Sequence, residues 1–114
     1  MAARIVVFVS HADPCSLRLA GSCALAAVST GDRVDVFLFG PAVRATVEAS
    51  GDHEHPAFLL HQARENGACR LLGCSASVVA DRVEPGAVQA ALDAVVGWPS
   101  VIEWSRGVTD RFFF

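Results

Sequence analysis

Residues 4–39, RIVVFVSHADPCSLRLAGSCALAAVSTGDRVDVFLF, decide how this chain folds. The stretch opens on RIVVFVS (4–10), a continuous β-branched and aromatic run of the kind that forms a strand covered on both faces. HADPCSLRLAGSCALAAVSTG (11–31) follows, with Asp13 as N-cap, Pro14 at the first helical position and Gly31 just past the end of a helix. Leu17, Ala20, Ala24, Leu25 and Val28 fall on one side of that helix. RVDVFLF (33–39) is then a second strand, closed by Gly40 and Pro41. Strands that alternate with helices point to a parallel sheet, because parallel strands need crossover connections.

The pattern repeats outward from this unit. PAVRATVEAS (41–50) reads as a short helix, GDHEHP (51–56) as a polar surface loop, and residues 56–66 as helix again before Gly67. ACRLLG (68–73) is a third strand ending at Cys74, and residues 75–82 supply one or two helical turns. PGAVQAALDAVVGW (85–98) reads as a longer helix with Pro85 near its start; a short further strand around Val95 to Trp98 is the alternative. PSVIEWSRG (99–107) fits a short helix and VTDRFFF (108–114) a closing strand. The expected fold is α/β, a three-layer α/β/α domain spanning residues 1–114 around a parallel sheet of four to five strands, with no repeat or linker.

Hydrophobic residues make up 53% of the 114 and charged residues 18%, so more apolar surface exists than one small core can absorb. An oligomer would cover the excess. Phe112, Phe113 and Phe114 add to it, since consecutive aromatics on a strand point to both faces and call for a docked edge or a subunit interface. The net charge is −3 and all nine basic residues are arginines scattered singly, which argues against nucleic-acid binding. No apolar run approaches the ~18 residues of a membrane span. A cytoplasmic protein with reduced thiols is the expectation, because no cleavable leader follows the first apolar run.

Cys74 lies at the carboxyl end of a predicted parallel strand, where ligands gather in open α/β sheets. A helix starting at Ser75 or Ser77 would turn its free N–H groups toward a thiolate and favour it. The competing reading is a buried structural cysteine. Cys15 has a similar address after the first strand, with the Asp13 carboxylate working against its ionisation. Cys23 and Cys69 read as packing. Whether Cys15 and Cys74 can pair depends on sheet order: with one strand between them their axes are about 9.6 Å apart. His53, His55 and His61 form H-x-H-x5-H beside Glu54, a density that can hold zinc or nickel but matches no structural-site spacing. His11 follows the first strand and could face the same crevice as Cys74, as a proton donor or acceptor. There is no P-loop or Rossmann glycine spacing, no CxxC and no G-x-S-x-G; Cys74 and Ser77 make a C-x-x-S, half of a dithiol motif.

With these residues in view, the chain resembles the DsrE/DsrF-like family, which includes the sulfur-relay subunits DsrE and TusD and some members called peroxiredoxin-like. The likeness spans nearly the whole chain. RIVVFVSHADP serves as opening strand and loop, ALAAVSTGDRVDVFLFG as helix end and second strand, LLHQARENGACRLLGCSAS as helix, third strand and cysteine loop, and VTDRFFF as closing strand. The resemblance implies a five-stranded parallel sheet of order 4-3-2-1-5, which separates the first and third strands and argues against a Cys15–Cys74 disulfide. It also implies an oligomer, of one chain or of related subunits, and a cysteine that takes sulfane sulfur from a donor protein and hands it to an acceptor, without a cofactor. Only Cys74 matches that cysteine. Ser75 and Ser77 would then contribute backbone N–H groups and hydroxyls around the sulfur. The GDHEHP loop and the short segment between Cys74 and Pro85 depart from the relay subunits.

Overall fold

The structure is a computed structural model that describes residues 3–114. Its five parallel strands are β1 (Arg4–Val9), β2 (Arg33–Leu38), β3 (Cys69–Cys74), β4 (Ala94–Val96) and β5 (Asp110–Phe113), in the order β4-β3-β2-β1-β5. Six helices make the connections: α1 (Pro14–Ser29), α2 (Pro41–Glu48), α3 (Phe58–Glu65), α4 (Ser75–Ala80), α5 (Pro85–Ala91) and α6 (Trp98–Trp104). The opening unit forms as its residues dictate: Asp13 caps α1 by accepting the Ser16 N–H at 3.0 Å, and Pro14 occupies the first turn.

The two faces of the sheet are unequally covered. Val7, Val9, Val34, Val36, Leu38 and Leu71 pack with Leu17, Val43, Leu60 and Val88 of the helices into the larger core. On the opposite face Val6, Phe37, Leu72 and Val96 meet only Val101 among buried helical residues, with Phe8, Phe39 and Trp104 partly buried around them. This second face carries an aromatic row in which Phe8 stacks on Phe37, Phe39 and Phe113, while Trp98 stacks on Phe39 at 4.9 Å. The closing aromatics do dock as an edge, since β5 pairs with β1, yet Phe112 stays 39% and Phe113 72% exposed.

One expected element is corrected. The helix read over residues 85–98 stops at Ala91, and Ala94–Val96 is instead the short strand β4, paired in parallel with β3. Asp93 makes the break: its N–H donates to the Leu71 carbonyl at 2.9 Å and its carboxylate accepts the Leu71 N–H at 2.7 Å. Both bonds are tertiary, and no local propensity encodes them.

Gly21 also acquires a role that the helical pattern does not announce. A Cβ there would sit 2.5 Å from the Leu59 Cβ, with α3 backbone atoms at 3.1 and 3.2 Å, so α1 and α3 approach closely at this glycine. Gly21→Ala gains about 1 kcal/mol of helix propensity, but it must push the helices apart, at a typical cost of about 1–3 kcal/mol. The expected outcome in urea titration lies between no change and a net loss of about 2 kcal/mol; a stabilised variant would show that the two helices separate freely.

Candidate functional site

The carboxyl ends of the strands form one rim, built from Ser10 and His11 after β1, Phe39 and Gly40 after β2, Cys74 at the end of β3, and Gly97 after β4. Cys74 is also the N-cap position of α4, with extended backbone angles of φ −69° and ψ 124° and no side-chain cap bond. By strand alternation its side chain shares the α6 face with Leu72, and it lies opposite Val96. The residue is buried, with 7% of its surface exposed. No acidic side chain stands in the first turn of α4.

The two serines behave differently. Ser75 is exposed, with its hydroxyl beside Gly97, where a Cβ would lie 3.8 Å from Oγ. Ser77 is half-buried, and its Oγ accepts the Gly40 N–H at 2.8 Å. That bond fastens α4 to the turn after β2, where Gly40 has φ +54°, a conformation glycine adopts at little cost. Ser77 therefore ties the helix that follows Cys74 to that turn.

His11 and Cys15 share the rim and are exposed. His11 Nδ1 lies 3.3 Å from Ser10 Oγ, and Ser10 in turn donates from its N–H, at 2.8 Å, and from its hydroxyl to the Phe114 carbonyl. Cys15 stands in the first turn of α1 beside Asp13, whose carboxyl is held below its ordinary value by the hydrogen bond from Ser16 and so remains charged. Strand β2 separates β1 from β3, placing their axes about 9.6 Å apart. All four cysteines are free thiols. The rim thus gathers His11, Cys15 and Cys74 without joining Cys15 to Cys74.

The remaining cysteines are packing residues. Burial first, then the nearby Asp93 and Asp35 carboxylates, push the Cys69 thiol up to about 12, which keeps it protonated near neutrality. Burial also pushes the Cys23 thiol up. The metal reading of the histidines is corrected as well. His61 is buried, with Nε2 against the Thr46 carbonyl at 2.7 Å; His55 Nδ1 accepts the Ala57 N–H at 3.0 Å; and His53 packs on Phe58 with ring centroids 4.3 Å apart. Each ring has local work, and among the described residues no group of three His, Cys, Asp or Glu side chains comes together to hold a metal ion.

Sequence reading missed the Phe39–Trp98 stack, whose Phe39 packs on the same sheet face as Leu72. Pairing of residues 94–96 with β3 is the signal that would have found it, because that register carries Gly97 and Trp98 to the rim.

No helix among the described residues is long and apolar enough to cross a membrane. No family model matches the chain, and no curated protein matches it. Among solved structures it is similar to the crystal structure of the ychN protein from E. coli, at a TM-score of 0.74 and 16% sequence identity, covering 100% of both chains. The five-stranded parallel α/β fold expected from the sequence is thus shared, end to end, with a protein of known structure.

Proposed function

We propose that this protein is a sulfur carrier of the DsrE-like kind, holding sulfane sulfur as a persulfide on Cys74 within an oligomer. The observation that carries the reading is the placement of Cys74, at the handover from β3 to α4 on the carboxyl rim of a parallel sheet, in the register where the resemblance puts the relay cysteine. The Cys74 thiolate attacks the outer sulfur of a donor R–S–SH; the Cys74 Sγ–S bond forms, the donor S–S bond breaks, and the donor leaves as a thiolate that takes up a proton. An acceptor thiolate then attacks the outer sulfur and releases Cys74 as thiolate, so the transfer is redox-neutral.

A second reading has an observation of its own. With 7% of its surface exposed, Cys74 also fits a structural role in a non-catalytic oligomeric subunit. Intact-mass spectrometry after treatment with a small persulfide separates the two. Relay chemistry predicts one added sulfur atom that Cys74→Ser abolishes and Cys15→Ser preserves. Loss of the addition in Cys15→Ser alone moves the site to Cys15, and addition to neither cysteine leaves the structural reading. In iodoacetamide labelling near neutral pH, Cys69 stays unmodified because its thiol remains protonated.

A further inference from the structure

The arginines that lie far apart in the sequence do not stay apart in the fold. Arg4 and Arg33 are direct partners in the β1–β2 register, and Arg70 pairs with Asp35 one step further along, on the same sheet face. Together they line a cavity of about 380 Å³ at the amino ends of β1, β2 and β3, the end of the sheet opposite Cys74. Three guanidinium groups face one carboxylate there.

Two of the three are held in place. Arg4 donates to the Trp104 carbonyl at 2.8 Å and to the Arg106 carbonyl at 3.4 Å. Arg70 grips Asp35 through two bonds of 2.8 and 3.0 Å and lies over the Trp104 ring at 4.9 Å. Asp35 is therefore committed to Arg70. Arg33 has no side-chain hydrogen bond or ion pair among the described residues, and Arg4 meets only neutral carbonyls. Like charges directly opposite on neighbouring strands destabilise a sheet, and this pair has no carboxylate of its own in a chain whose net charge is −3.

We propose that this cavity is an oxyanion site, taking the phosphate group of a small metabolite or free phosphate between Arg4 and Arg33, with Arg70 as a fixed cationic wall. Guanidinium groups bind phosphate through paired, charge-assisted N–H···O bonds. A bound dianion turns the repulsion between Arg4 and Arg33 into a shared attraction, so ligand binding stabilises the folded chain.

The test is calorimetric titration of the full chain with inorganic phosphate and, separately, with ribose 5-phosphate, in low-chloride buffer, alongside thermal unfolding. Saturable binding is expected, weakened about tenfold or more in Arg33→Gln, whose side chain makes no hydrogen bond or ion pair among the described residues. Tighter binding of the monoester points to a phosphorylated metabolite, and equal binding to free phosphate. Without ligand, Arg33→Gln unfolds at the same temperature as the parent chain or higher, because a like-charge neighbour has gone. Absence of saturation with both probes overturns the proposal, as does undiminished binding in Arg33→Gln or an equal thermal shift from sodium chloride at matched ionic strength. Cys74 chemistry enters none of these readouts.

Discussion

Phe37→Ala is expected to destabilise the protein by about 3–5 kcal/mol, the usual cost of truncating a fully buried phenylalanine. Phe37 is 1% exposed at the centre of the thinner face, stacked on Phe8 at 5.6 Å and on Trp104 at 6.5 Å. On the face under α6 the buried neighbours of Phe37 are Val6, Leu72, Val96 and Val101, and the extent to which they close on the void sets where in the range the cost falls. Set against a typical domain stability of about 5–15 kcal/mol, such a loss takes a large share of the total. Urea titration followed by tryptophan fluorescence checks it directly, since Trp104 reports on the contact being removed. Phe113→Ala is the control: it removes a stacked but 72% exposed ring from the same row and should cost under about 1 kcal/mol in the isolated chain. Equal effects at the two positions would mean that Phe37 is no better packed than the surface.

The same asymmetry explains the composition. A chain that is 53% hydrophobic leaves Trp98 57%, Ile102 55% and Phe113 72% exposed, all beside the aromatic row on the α6 face. Apolar surface of this kind is what an oligomer covers. Cys74 shares that face at the rim, so an interface formed there would bear on access to the sulfur.

Legibility in the sequence followed the source of each constraint. β1, α1 and β2 were readable because their signals are local and agree: doubly apolar strands, an Asp-Pro start, a glycine stop. Cys74 was placed correctly for the same reason, since the end of ACRLLG fixes the end of β3. Its exposure was not readable, because Val96, which lies opposite it, comes from another strand. The histidines looked like a cluster in sequence and were separated by the local contact each ring makes. Arg4, Arg33 and Arg70 looked dispersed and were gathered by strand register. Residues 92–96 stayed ambiguous because a short apolar run suits helix and buried strand alike.

Asp93 resolves that ambiguity, and its removal should have the second largest effect on stability. In Asp93→Ala the Leu71 N–H loses its 2.7 Å acceptor, and a half-buried donor left without a partner costs about 1–3 kcal/mol. The Arg64 Nε contact at 3.1 Å goes as well; both side chains are about a third exposed, so solvent screening limits this loss to about 1 kcal/mol or less. The sum is about 1–4 kcal/mol, concentrated where β4 joins β3. Asp93→Asn is milder, because its amide oxygen can still accept the Leu71 N–H while the charge on Arg64 is left unpaired. Since β4 has only three residues, its pairing depends heavily on this anchor. Loosening β4 frees Val96 and Gly97 from the rim and uncovers Cys74. Iodoacetamide should therefore label Cys74 faster in Asp93→Ala than in the parent chain, under conditions where both remain folded. Destabilisation without faster labelling would mean that β4 does not shield the sulfur, which is 7% exposed.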